Sequence, residues 1–315
     1  MSRKSLCVVL GGSGFLGRRL CEVMLEAGYR IRSVSRSGVP GGQSETWWSD
    51  VDWISASVGT EACALALQNA DLLVHLASTT LPSTSNSDIA YDIQSNVVGT
   101  IKTLEAAAAL GIRRTIFVSS GGTVYGPARE TPITEHHPTE PICSYGIHKL
   151  AIEKYLQFFR SQNRLDSIVL RVSNMYGESQ GCGRPLGAIA HFVARAVEGV
   201  PIEIWGNGTI TRDYVYVDDV VNAILKSATY EGTERLFNIG SGLGTTLNQI
   251  LEMIRLRVSK PVIASYKPTR GFDVRENILD SRRAKRDLGW VSQVTLETGL
   301  DRMIRAVRPA LATHV

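Results

Sequence analysis

The stretch that decides the fold is LCVVLGGSGFLGRRLCEVMLEAG, from Leu6 to Gly28. Leu6–Leu10 is a short run of apolar residues and reads as a buried strand. Phe15–Ala27 reads as a helix stopped by Gly28. Between them Gly11, Gly14 and Gly17 are spaced G-x-x-G-x-x-G. Gly11 permits a tight turn, Gly14 lets the backbone approach a pyrophosphate, and Gly17 lets helix and strand pack closely. The helix N-terminus then presents free N–H groups and the positive end of its dipole to the phosphates. Gly11, Ser13, Gly14, Phe15, Leu16 and Gly17 are therefore candidate dinucleotide contacts. A merely tight strand-to-helix turn is the alternative, and the motif's place in the first βα turn disfavours it.

Outward from this stretch the alternation repeats. Strands are predicted at Ile31–Ser35, Leu72–Leu76, Thr115–Ser119 and Ser167–Val172. Helices are predicted over Asp88–Leu110, stopped by Gly111, and over Tyr145–Arg160. Repeated β-α-β units with right-handed connections give an α/β protein with a doubly wound parallel sheet. Past Asn174 the pattern loosens, and Gly177–Gly187 reads as a loop leaving the sheet. The division expected is a dinucleotide-binding domain over 1–174, with segments near 209–240 returning to it. Residues 175–208 and 241–315 then form a smaller mixed α/β substrate lobe.

Composition narrows the functional class. The 315 residues carry 34 basic and 30 acidic side chains, a net charge of +4, with no basic run interleaved with aromatics. That balance speaks against nucleic-acid binding. Five cysteines, Cys7, Cys21, Cys63, Cys143 and Cys182, lack metal-ligand or redox-pair spacing, so no metal is expected and a reducing compartment is. No signal-peptide or membrane-spanning run is evident, which makes the cytoplasm the expected location.

The end of the second strand bears on the cofactor. An acid there would hold the adenosine ribose hydroxyls of NAD, but Ser35 and Arg36 stand there instead. A guanidinium without an acid accommodates a 2′-phosphate, which tilts the reading from NAD toward NADP. Arg36 stacking on adenine or facing solvent would leave NAD usable. Leu76, Ala77 and Ser78 should pass beneath the dinucleotide, and Asn96 could support the neighbouring strand.

Tyr145 and Lys149 form a Y-x-x-x-K pair, and i and i+4 share one helix face. The ammonium and a nearby nicotinamide cation both favour phenolate, lowering the tyrosine pKa and fitting Tyr145 for acid/base work. The lysine can also hold the nicotinamide ribose. The pair follows Ser119-Ser120-Gly121-Gly122-Thr123, where Ser119 is a further cofactor contact. His148 reads as a solvent-facing or structural residue, and His75 as packed in its strand.

These residues, with Thr123-Val124-Tyr125-Gly126, Arg171–Gly177, Gly206-Asn207-Gly208, Arg212-Asp213-Tyr214 and Val217-Asp218-Asp219, resemble the extended short-chain dehydrogenase/reductases. The likeness is to the NAD-dependent epimerase/dehydratase branch, UDP-glucose 4-epimerases and 4-ketoreductases among them, and covers nearly the whole chain. It implies a Rossmann sheet and a UDP- or dTDP-linked sugar substrate. The family's third catalytic hydroxyl would fall at Gly121, a departure, so Thr123 and then Ser120 are the replacements the resemblance suggests. It further implies that Asn174, Arg212 and Arg270 meet the diphosphate, with Asp273 preserved beside them. Phe192, Ile204 and Trp205 then lie near the base, and Arg171 serves the architecture. A homodimer joined through the helices Asp88–Leu110 and Tyr145–Arg160 is implied as well. The leading expectation is nucleotide-sugar 4-epimerisation through a 4-keto intermediate. An NADPH-dependent 4-ketoreductase is the alternative, and a non-catalytic NAD(P)-sensing protein is a remote one.

Overall fold

The computed structural model describes residues 4–40, 45–178, 180, 187–268 and 274–312. Contacts divide the chain into two compact units, one of Met1–Gly126, Pro138–Arg171 and Val221–Phe237, the other of Pro127–His137, Val172–Val220 and Asn238–Val315.

The first unit is organised by strand β1 (Leu6–Leu10), whose five residues are all buried. Burial of every residue marks a strand covered on both faces, the signature of a parallel sheet flanked by helices. Chain order continues with α1 (Phe15–Glu26), β2 (Arg30–Ser35), β3 (Val51–Ser55), α2 (Glu61–Ala66) and β4 (Leu72–His75). After them come α3 (Ile89–Asp92), α4 (Gly99–Ala109), β5 (Arg114–Ser120), α5 (Ser144–Ser161) and β6 (Ser167–Val172). The pairs β1–β2, β1–β4, β2–β3 and β4–β5 are parallel, with Cys7 opposite both Ile31 and Leu72. A seventh strand, Leu236–Ile239, follows β6, giving the order (236–239)-β6-β5-β4-β1-β2-β3. Strand order reverses between β1 and β4, and in sheets of this kind ligands bind in the crevice at such a point.

Local sequence explains these elements. Helix α1 turns Leu16, Gly17, Leu20, Cys21 and Met24 inward, an i, i+4, i+8 stripe with neighbours. Phe117 of β5, Ile152, Leu156 and Phe159 of α5, and Val8 and Leu10 of β1 share one core. The predicted helix over Asp88–Leu110 is not continuous: a π-helical turn, Ile93–Val98, separates α3 from α4. There the chain passes close to the loop after β3, since a Cβ on Gly99 would lie 2.9 Å from the Val58 carbonyl oxygen. Such turns recur at functional sites in otherwise α-helical segments.

The second unit contains β7 (Asn174–Tyr176), α6 (Ala188–Glu198), β8 (Ile202–Trp205) and β9 (Thr211–Tyr216). Its further elements include β11 (Gly244–Thr246), α8 (Leu247–Arg255), β12 (Ala264–Lys267), β13 (Glu276–Asn277) and α9 (Leu296–Ala312); α7 (Val217–Ala228) and β10 (Leu236–Ile239) have residues assigned to each unit. Strand β9 pairs with β7, β11 and β13, and β8 pairs with β12. Thr246 caps α8 by a reciprocal bond pattern with Gln249. Among the described residues, no helix is long and apolar enough to cross a membrane.

Candidate active site

A cavity of about 550 Å³ opens where β1, β2, β3 and β4 end. Gly11, Ser13 and Gly14 form one wall, and Ser35, Arg36 and Ser37 a second. Leu76, Ala77, Ser78 and Asn96 line it too, so these predicted cofactor contacts come together, joined by Ser37, which was not predicted. Gly11 has φ +88°, and a Cβ there would sit 3.0 Å from the Ala77 backbone nitrogen. The two loops thus approach so closely that only glycine fits. Gly14 is the N-cap of α1 and has no side chain to satisfy the first-turn N–H groups, which suits an anion. Gly17 packs instead of lining: its Cβ would meet the Gly12 Cα at 2.6 Å. Leu16 is likewise buried in the helix stripe, and Phe15 opens the helix.

Contacts that sequence reading missed include Ala56, Ser57 and Val58, which follow β3, and Thr79, Ser95 and Thr100. Residues 56–58 and Thr79 had only the signal of following a strand, and Ser95 and Thr100, in the π turn and α4, had none. No carboxylate is among the described residues lining the cavity. Asn96 does support the loop after β4, its Oδ1 accepting from the Thr79 N–H at 2.9 Å. Shape, the uncapped start of α1 and the hydroxyl lining fit a dinucleotide, with the turn before α1 on the pyrophosphate side and Ser35–Ser37 on the adenosine side.

The couple Tyr145 and Lys149 lies in the first turns of α5. Two side chains of the loop after β4 fasten this helix start: Asn86 Oδ1 accepts from the Ser144 N–H at 2.9 Å and Ser85 Oγ from the Tyr145 N–H at 3.0 Å. Neither residue was foreseen, because both act from about sixty positions away. Gly146 is equally constrained, since a Cβ would lie 2.7 Å from the Thr123 carbonyl oxygen. The loop after β5 is thereby pressed against the first turn of α5.

Lys149 is buried and donates to the Val118 carbonyl at 3.0 Å. Its Nζ lies 5.6 Å from the centre of the Tyr145 ring and 4.7 Å from that of Phe117. Phe117 in turn meets His75, a wall of the cavity, at 5.4 Å. Burial lowers the Lys149 pKa to about 8, against the opposing pull of Glu153 and Asp92. Burial raises that of Tyr145, and Cys143 and Asp92 push the same way. In the chain by itself removal from water thus raises the phenol's pKa; the lowering expected from the ammonium together with a nicotinamide cation belongs to the cofactor-bound state.

His75 is buried as expected, with Nε2 2.8 Å from Thr100 Oγ1. His148 does not face solvent: it is 1% exposed, its Nδ1 3.0 Å from both oxygens of Asp92. Ser119, expected against the cofactor, spends its hydroxyl elsewhere, donating to Glu153 at 2.5 Å. Glu153 also holds Arg171 through bonds of 2.6–3.1 Å, so Arg171 serves the architecture. Ser120 begins the turn whose carbonyl accepts from the Thr123 and Val124 N–H groups. Thr123 Oγ1 is buried and has no hydrogen-bond partner among the described residues. The Thr123 backbone carbonyl, not its hydroxyl, is what approaches α5 at Gly146.

In the second unit, Asn174 Nδ2 donates to the Asp213 carbonyl at 3.2 Å, placing it beside Arg212 on paired strands. Asp213 is buried and accepts from Ser241 Oγ and from the N–H groups of Ser241, Gly242 and Leu279. Phe192 and Ile204 pack in this unit's core, whereas Trp205 is 39% exposed. Arg270 and Asp273 lie outside the described residues.

Comparison with known proteins agrees with this geometry. The model of the NAD dependent epimerase/dehydratase family matches residues 7–240. The dTDP-4-dehydro-6-deoxyglucose reductase of Escherichia coli is 33% identical, covering 98% of this chain and 99% of its own. A crystal structure of UDP-glucose 4-epimerase with UDP-glucose from Thermotoga maritima is 34% identical with a TM-score of 0.89, over 97% of this chain and 99% of that one. The UDP-glucose 4-epimerase of Thermus thermophilus in complex with NAD is 25% identical with a TM-score of 0.88, over the same shares.

Proposed function

From the premise that this chain belongs to the NAD-dependent epimerase/dehydratase family, we propose that it is a nucleotide-sugar 4-epimerase acting on a UDP-hexose. One observation carries the reading: the Tyr145–Lys149 couple is joined through Phe117 and His75 to the wall of a dinucleotide-sized cavity. Tyr145 takes the proton of the sugar's O4 hydroxyl and later returns it to the 4-keto oxygen. Thr123 Oγ1 donates to that oxygen and fixes its direction. Lys149 keeps its ammonium behind the phenol and stabilises the phenolate. A bound nicotinamide dinucleotide supplies the hydride acceptor and donor at C4, and in its oxidised form a positive charge that favours phenolate. Asn174 and Arg212, with Arg270, serve the diphosphate, where an anion wants charge-assisted donors. Asp273 belongs with them. Phe192, Ile204 and Trp205 belong to the base end, Trp205 offering the exposed ring.

A second reading has its own support. The adenosine end of the cavity carries Arg36 and serines but no described carboxylate. That favours NADP and, with it, a 4-ketoreductase that consumes NADPH. The free thiols of Cys7, Cys21, Cys63 and Cys143 suit a reducing cytoplasm. Ile89, Ile93, Ile147 and Phe158, exposed on α3, the π turn and α5, suit burial in a homodimer.

The test is direct. The dinucleotide carried by the purified protein is identified, and the protein is incubated with UDP-glucose alone. Formation of UDP-galactose without added cofactor is expected. Turnover confined to a 4-keto sugar with NADPH replaces the epimerase by the reductase. Tyr145→Phe should lower turnover by at least about 10²-fold in either case, with dinucleotide binding intact. Retained turnover removes the mechanism.

A further inference from the structure

We infer that His148 and Asp92 are a positioning pair for Tyr145: the carboxylate fixes the angle and tautomer of the imidazole, and the imidazole fixes the phenol ring beside Lys149. The inference rests on the reading of Tyr145 as the acid/base group.

Asp92 is wholly buried. It accepts from Thr80 Oγ1, from Asn96 Nδ2 at 2.9 Å, from Ser144 Oγ at 2.6 Å and from His148 Nδ1 at 3.0 Å. These donors come from three segments. Thr80 follows the cavity-lining Thr79, Asn96 lies in the π turn, and Ser144 and His148 flank Tyr145 on α5. One carboxylate thus ties the cofactor loop to the catalytic helix. An ionised carboxylate only accepts, so Nδ1 of His148 carries the proton and Nε2 a lone pair. The imidazole meets the Tyr145 ring edge-on, with centres 4.9 Å apart. A buried acid–imidazole pair adds little stability over apolar packing of equal volume, so its value lies in what it places.

The titratable groups facing the pair are Tyr145 and Lys149 on α5 and His75 on β4, with Cys143 and Glu153 next beyond. Burial and Lys149 hold His148 neutral against Asp92. Burial would raise the Asp92 pKa, but bonds from Ser144, Thr80 and His148 lower it, so the carboxylate stays charged. That charge raises the pKa of both Tyr145 and Lys149. Removing it must move both limbs of a pH–rate profile toward acid.

The test uses the holoenzyme and three variants, with kcat and KM followed against pH. Asp92→Asn should shift the limbs of kcat/KM acidward by on the order of half to one pH unit. His148→Ala should lower kcat about tenfold or more with KM within about twofold, since misplacement of a catalytic group acts on the chemical step. His148→Asn keeps a donor toward Asp92 without the ring, so its limbs should stay near wild type while kcat stays low. Limbs that do not move, or move toward base, in Asp92→Asn overturn the inference, as does wild-type kcat in His148→Ala. A merely structural role would lower the melting temperature and leave the limbs in place. If wild-type protein turns over no nucleotide sugar, the functional reading fails separately, and proton NMR of the dinucleotide complex decides this inference. The downfield Nδ1–H resonance of His148, absent in His148→Ala, should shift in Tyr145→Ala; an unmoved resonance overturns the pair's contact with Tyr145.

Discussion

Lys149→Met should inactivate the protein and make it more stable near neutral pH. The lysine is 3% exposed, and its pKa stands at about 8 against an ordinary value of 10.5. That displacement corresponds to roughly 3 kcal/mol of unfavourable charge burial. Methionine fills similar space but loses the bond from Nζ to the Val118 carbonyl and the contact over Phe117. Those losses cost about 1–2 kcal/mol together. The net gain near pH 7 is therefore on the order of 1–2 kcal/mol, or a melting point higher by about 2–8 °C. The pH dependence is sharper than the offset. Below pH 8 the side chain is protonated in both folded and unfolded chains, so the whole penalty is present. Between about 8 and 10.5 the unfolded chain binds a proton that the folded chain does not, so wild-type stability climbs with pH relative to the variant. By about pH 10.5 the penalty is gone and the ranking inverts. Urea unfolding of both proteins at about pH 7 and about pH 10 measures this directly. Groups remote from Lys149 cancel in the difference, and His75 and His148, whose pKa values Lys149 lowers, titrate on the acid side of this window. A stability gap that does not change with pH refutes the reasoning.

Two more outcomes follow from packing. Gly17→Ala brings a methyl group against the Gly12 Cα and the Gly11 carbonyl; the turn must shift at a cost of about 1–3 kcal/mol, and fluorescence titration should show weaker dinucleotide binding. Binding at wild-type strength would show that the turn does not hold the phosphates. Glu153→Ala leaves the Arg171 guanidinium buried without its carboxylate, a loss of about 3–5 kcal/mol in urea unfolding. Adding Arg171→Met should recover much of that loss, because the two sites share one interaction; simple additivity would show that the pair is not coupled.

The glycine turn, the alternation of strands and helices, and the spacing of Tyr145 and Lys149 were legible because each depends on neighbours within a few residues. Gly11 needs its positive φ and Gly17 its missing side chain whatever the rest of the chain does. The wall formed by Ser35, Arg36 and Leu76–Ser78 followed from the same logic, since a strand's carboxyl end in a parallel sheet faces the crevice. The break at Ile93–Val98 was not legible; it ends where Gly99 passes close to Val58, a contact between distant positions. Nor was the direction of the Tyr145 shift, which depends on burial.

Sequence by itself thus determined the doubly wound sheet, the glycine turn and the Tyr145–Lys149 pairing on one helix face, since these are short-range patterns of period and turn chemistry. Only the tertiary structure decided that Asp92 meets His148 across 56 residues and that Ser119 answers to Glu153. It likewise left the buried Thr123 hydroxyl without a partner among the described residues. Those outcomes depend on which polar groups remain unsatisfied once the sheet has brought distant segments together and excluded water, and one-dimensional order does not contain that accounting.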